Sequence, residues 1–103
     1  MSEEKINRLN MLEQNLRQFS QQKQALQTQI LEFESAISEI DDQDTYKLVG
    51  NILVKKNPKK LKEEMLQEKA TNDEALKTLE EQEIKLRDKA EALRKELMEE
   101  MKK

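Results

Sequence analysis

The chain has 103 residues, of which 35% are hydrophobic, 3% aromatic and 40% charged. That is too little apolar material for a large globular core. With 19 basic against 22 acidic residues and a net charge of -3, nothing pulls it strongly toward nucleic acid or an anionic membrane.

In chain order, Ser2 followed by Glu3 and Glu4 reads as an N-cap with acidic first-turn residues, which suit the positive end of a helix dipole. Leu9, Leu12, Leu16, Phe19, Leu26, Ile30, Phe33, Ile37 and Ile40 then step by alternating threes and fours, interrupted at Lys23. This predicts one coiled-coil helix over about 4–41. Its polar faces are rich in glutamine, at Gln14, Gln18, Gln21, Gln22, Gln24, Gln27 and Gln29, and the heptad running through them makes this a solvated helix face. Asp41-Asp42-Gln43-Asp44 should end the helix, because short polar side chains compete for backbone hydrogen bonds. The cluster lacks the glycine and distal glutamate of a calcium loop.

Thr45 to Lys56 breaks the helical period with β-branched and aromatic residues around the single glycine. Tyr46 and Leu48 alternate before Gly50-Asn51, and Ile52 and Val54 alternate after it, so 45–56 reads as a β-hairpin. A lone two-stranded hairpin is marginal in water and exposes both edges, so partner strands from other chains are expected. Asn57-Pro58 then supplies an N-cap and a proline at the first helical position of a second helix, over about 58–101. Lys55, Lys56, Lys59, Lys60 and Lys62 form the one basic cluster, read as edge-strand protection and ordinary solvation.

The second helix repeats the heptad more weakly, with Met65, Leu76, Leu79, Leu86, Ala90, Leu93 and Leu97 broken by Lys69, Asn72 and Glu83. Facing positions of an antiparallel pair have residue numbers with a constant sum. A sum of 102 sets Leu9 on Leu93, Leu16 on Leu86, Lys23 on Leu79, Phe19 on Glu83 and Ile40 on Lys62. The prediction is a mostly α chain: an antiparallel coiled-coil hairpin with a short β-hairpin insert, in a single domain over 1–103. In this register the Lys23 ammonium reaches Glu83 one layer along. If that pair is partly exposed it contributes only about 0.2–1 kcal/mol, and Lys23→Leu should raise the thermal midpoint.

With no cysteine and no histidine, disulfides, thiol chemistry and the commonest general bases and zinc ligands are missing. Two exposed helices offer carboxylates no cleft that would separate their pKa values, and one glycine is too few for a phosphate-binding loop. No catalytic residue, cofactor or metal is expected. No stretch approaches the roughly 20 apolar residues of a membrane span, and the first residues lack the apolar core of a secretory signal; a cytoplasmic location is expected.

The segment Thr45-Tyr-Lys-Leu-Val-Gly-Asn-Ile-Leu-Val-Lys-Lys56, followed by Leu79-Glu-Glu-Gln-Glu-Ile-Lys-Leu-Arg87, resembles the β-class subunit of archaeal prefoldin. It is similar also to the eukaryotic prefoldin subunit six. A single hairpin favours the β class, since the α class carries two. The resemblance implies two α-class and four β-class subunits joining their hairpins into a shared β-barrel platform. Coiled coils hang from it, and their tips hold unfolded proteins and deliver them to a group II chaperonin without ATP. It implies Tyr46, Leu48, Val49, Ile52, Leu53 and Val54 as assembly residues. Ile6, Leu9, Met11, Leu12, Leu97, Met98 and Met101 would be the client-binding tip residues.

The residues themselves leave two readings of the methionines open. Flexible thioethers at Met11, Met98 and Met101 suit a surface that accepts varied apolar partners, and methionine is also simply a good helix former near a chain end. Two other functions are compatible with the same pattern. A structural tether would space its partners without holding clients; a nucleic-acid binder would use the lysine cluster and weaken steeply with salt.

Overall fold

The structure is a computed structural model that describes residues 2–40 and 44–102. The first helix, α1, spans Ser2–Glu39, two residues earlier at each end than the heptad suggests. The Ile40 N–H still donates to the Ala36 carbonyl at 3.1 Å, so the helical bonding runs one residue past the last helical position. Asp41, Asp42 and Gln43, read as the terminating cluster, lie outside the described residues.

Strands β1 (Thr45–Val49) and β2 (Ile52–Lys56) form an antiparallel hairpin in the register Val49 with Ile52, Leu48 with Leu53, Lys47 with Val54 and Tyr46 with Lys55. Gly50 opens the two-residue turn with φ of 61°, while Asn51 keeps a negative φ. This is the backbone pattern of a type II′ turn, whose twist matches that of the strands and which asks for glycine at its first central position.

The second helix, α2, spans Pro58–Met101 and begins as its cap residue dictates. The Asn57 Oδ1 accepts from the backbone N–H of Lys59 at 2.9 Å and of Lys60 at 3.4 Å, and its carbonyl accepts from the Leu61 N–H at 3.0 Å. Proline at the next position gives up no bond the helix could have used. Asn57→Ala should cost about 0.5–2 kcal/mol. Thermal unfolding followed by circular dichroism would detect this, and an unchanged midpoint would deny the cap any role.

The chain divides into two compact units, 1–25 with 76–103 and 26–75. In the first unit α1 and α2 run antiparallel: Lys5 lies 3.6 Å from Glu96 and also pairs with Glu100, Glu13 lies 2.8 Å from Arg94, and Lys23 lies 3.1 Å from Glu83. Ala90, Leu93 and Leu97 are buried here, while Leu9, Leu12, Leu16, Phe19, Leu79 and Leu86 are half-buried. Two helices leave the flanks of their seam open, so many seam residues stay half-buried while a few are covered. Leu97 is 9% exposed and holds the seam, as its place in the heptad requires.

In the second unit the same antiparallel sense recurs, with Gln29 accepting from the Asn72 amide at 3.2 Å and Glu34 lying 3.4 Å from Lys69. Ile30 is buried and Phe33, Ile37 and Ile40 are half-buried, as the heptad requires. One facing position differs. The regular frame puts Lys62 inward opposite Ile40, yet Lys62 is exposed and Leu61 is 3% exposed, bordering a recess with Ala36, Ile40 and Met65. Near its start α2 turns inward at 61, 65 and 69, two successive steps of four, so the leucine replaces the lysine in the seam.

Candidate functional site

Opposite residues of an antiparallel ladder point to the same side, so the hairpin register sorts its side chains into two faces. Tyr46, Leu48 and Leu53 share one face with Lys55; Val49, Ile52 and Val54 share the other with Lys47 and Lys56. Both faces are apolar, and the six apolar side chains are all exposed, from 40% at Val54 to 67% at Ile52. The face with Val54 turns in part toward the helices of its unit, where Lys47 and Lys56 border a recess of about 670 Å³ with Phe33 and Glu64. Neither outer edge has a partner strand among the described residues. Of the lysine cluster, Lys55 lies 3.3 Å from Asp44, and the first free N–H groups of α2 are taken by Asn57.

Toward the two ends of the sequence the apolar residues divide by exposure. Met11, Met98 and Met101 are 64%, 60% and 85% exposed and Ile6 is 46% exposed. Leu9 and Leu12 are half-buried in the seam, and Leu97 is buried. Of the seven residues that the resemblance implies for the tips, four are exposed and three belong to helix pairing. Exposed Leu31, Leu66 and Ile84 were not singled out by the sequence; each directly follows a seam position and so falls just outside the frame.

The electrostatics are organised across the seam. Glu83 is 6% exposed, and its Oε1 accepts from Lys23 Nζ at 3.1 Å and Arg87 Nη2 at 3.2 Å. The Lys23 contact is the one the register predicts; Arg87, one turn on, adds a second cation that sequence spacing alone did not single out. At Lys5, a hydrogen bond from the ammonium to Glu100 raises its pKa above the usual lysine value, with Glu96 adding to the effect against some desolvation. Among the described residues no group of carboxylates is arranged to hold a metal ion, and no helix is long and apolar enough to cross a membrane.

Two long antiparallel helices joined by a β-hairpin, with apolar side chains exposed on the hairpin and near the free ends, define a coiled-coil hairpin subunit built around surfaces. The family model described as prefoldin subunit matches residues 3–103. The chain is 33% identical to the prefoldin subunit beta of Pyrobaculum islandicum over 100 residues, covering 93% of this chain and 80% of that one. It is 33% identical to that of Archaeoglobus fulgidus over 88 residues, covering 82% and 76%. The crystal structure of the prefoldin beta subunit from Thermococcus strain KS-1 matches with a TM-score of 0.85 at 31% identity, covering 95% of this chain and 90% of that chain. This chain belongs to the prefoldin family, whose members are chaperones rather than enzymes, and its similarity is to the β class.

Proposed function

We propose that this chain is a holding subunit, one prefoldin-like unit over 1–103, that binds unfolded proteins without ATP and passes them to a group II chaperonin. Its partners are an α-class prefoldin subunit and further copies of itself, two α with four β, joined through their hairpins into a β-barrel platform. Its place of work is the cytoplasm. The observation that supports the reading best is the hairpin: apolar on both faces, unpaired on both edges among the described residues, and too small to be stable alone. Ile6, Met11, Met98 and Met101 supply the adaptable apolar surface that a client needs.

Replacing Met98 and Met101 by serine removes two exposed thioethers and touches no buried residue. With an α-class partner present, the variant should lose most of its suppression of client aggregation, read by light scattering. Its helicity and assembly mass should not change. Undiminished suppression would favour a tether that spaces partners without holding clients.

A further inference from the structure

The two flanks of the α1–α2 seam in the first unit differ. In the heptad frame that makes Leu9 and Ala90 a positions, Glu13, Arg87 and Arg94 are e positions, and this flank is closed by the Glu13–Arg94 pair at 2.8 Å and by Arg87 on Glu83 at 3.2 Å. The opposite, g flank is open. Two recesses of about 470 Å³ and 350 Å³ lie along it and share Lys89, so they form one groove. Leu12, Phe19, Leu86 and Leu93 make its apolar floor. Arg8, Lys85 and Lys89 stand on its rim, exposed and in no ion pair among the described residues. Glu96, the one carboxylate bordering it, lies 3.6 Å from Lys5. Exposed Met11 follows Arg8 by three residues and precedes Asn15 by four, which sets it on the same flank.

We infer that this groove binds extended polypeptide segments in which apolar residues are interspersed with aspartate and glutamate, the apolar side chains on the floor and the carboxylates on Arg8, Lys85 and Lys89. The inference deepens the holding function proposed above and rests on it, by naming which clients the subunit favours. Charge complementarity selects the occupant. The chain as a whole carries -3, so its long-range field disfavours an acidic segment, and a preference for one reports the local rim. A basic amphipathic segment meets three like charges at the same floor.

The test uses the full chain, assembled with an α-class partner, and two fluorescently labelled peptides with the same leucine and phenylalanine pattern. One is interspersed with Asp and Glu, the other with Lys and Arg. Anisotropy should show the acidic peptide bound about tenfold more tightly, the yield of three exposed pairs of ordinary surface strength, and salt should erode the difference. Lys85→Glu with Lys89→Glu should abolish or reverse the preference. Lys95→Glu with Lys102→Glu, the same charge change at positions that do not border the groove, should leave it standing. Equal affinity for the two peptides, no binding of either, or an equal effect of both variants would overturn the groove. Suppression of aggregation, measured in parallel, separates the two ideas: holding without an acidic preference leaves the subunit a chaperone and removes the groove, whereas an acidic preference without holding does the reverse.

Discussion

Replacing Ile52 and Val54 with lysine is expected to reduce the assembled species to smaller ones, read by sedimentation, while leaving the helical signal intact. The two residues lie on one face of the hairpin beside Val49 and are 67% and 40% exposed in the isolated chain, so Ile52 contributes little to the chain's own fold and Val54 only in part. In the platform proposed above, their burial comes from other chains. Burying what remains exposed of the two side chains is worth about 1.5–3 kcal/mol, which corresponds to about 10–10² in a dissociation constant. The lysines also set ammonium groups where strand edges must approach. An assembly of unchanged mass would sink the shared β-barrel and leave the hairpin without a purpose.

The second large effect is a change of sign at the seam. Considered as an exposed pair, Lys23 and Glu83 suggest that Lys23→Leu stabilises; the burial of Glu83 to 6% reverses that expectation. Removing Lys23 takes one of two cations from a nearly buried carboxylate and leaves only Arg87, itself largely exposed. The single variant should therefore lose about 1–3 kcal/mol. Lys23→Leu together with Glu83→Leu removes the buried charge and should raise the thermal midpoint above that of the parent. Calorimetry at one fixed protein concentration checks both, since association shifts apparent stability. If the single variant is the more stable, the carboxylate is better solvated than its position indicates. If the double variant also melts early, the polar layer contributes more than the fixing of register.

Much of this fold is legible in the sequence because a two-helix seam writes itself as a period. Every seam residue of α1 from Leu9 to Ile40 is buried or half-buried, and Lys69, Asn72 and Glu83, which look like breaks in α2, are inward too. The constant-sum register places Lys23 beside Glu83, and the two lie 3.1 Å apart. Leu61 was missed because an unbroken heptad steps from Met65 to Lys62, and only packing against Ala36 and Ile40 tells which neighbour turns inward. Leu97 follows its heptad position into the seam, although it lies near the end of α2. The roles of Arg8, Lys85 and Lys89 are hidden in the sequence for a different reason. Periodicity separates inside from outside, but it does not say which flank of the seam is closed by ion pairs and which is left open.

The inward run 61, 65, 69 and 72 near the start of α2 takes two steps of four before one of three, where the regular frame through 65, 69 and 72 would start at Lys62. A seven-residue repeat falls behind an ideal α-helix by about 20° per heptad and makes the pair wind left-handedly to keep its seam aligned, whereas an eleven-residue step runs slightly ahead. The angular phase of the seam is thus reset in the turns that follow Asn57 and Pro58. An insertion of three residues just after Lys62 would restore neither phase, and one of seven would keep both. Length variants at this position thus separate the angular relation of helix to sheet from the strength of helix pairing itself.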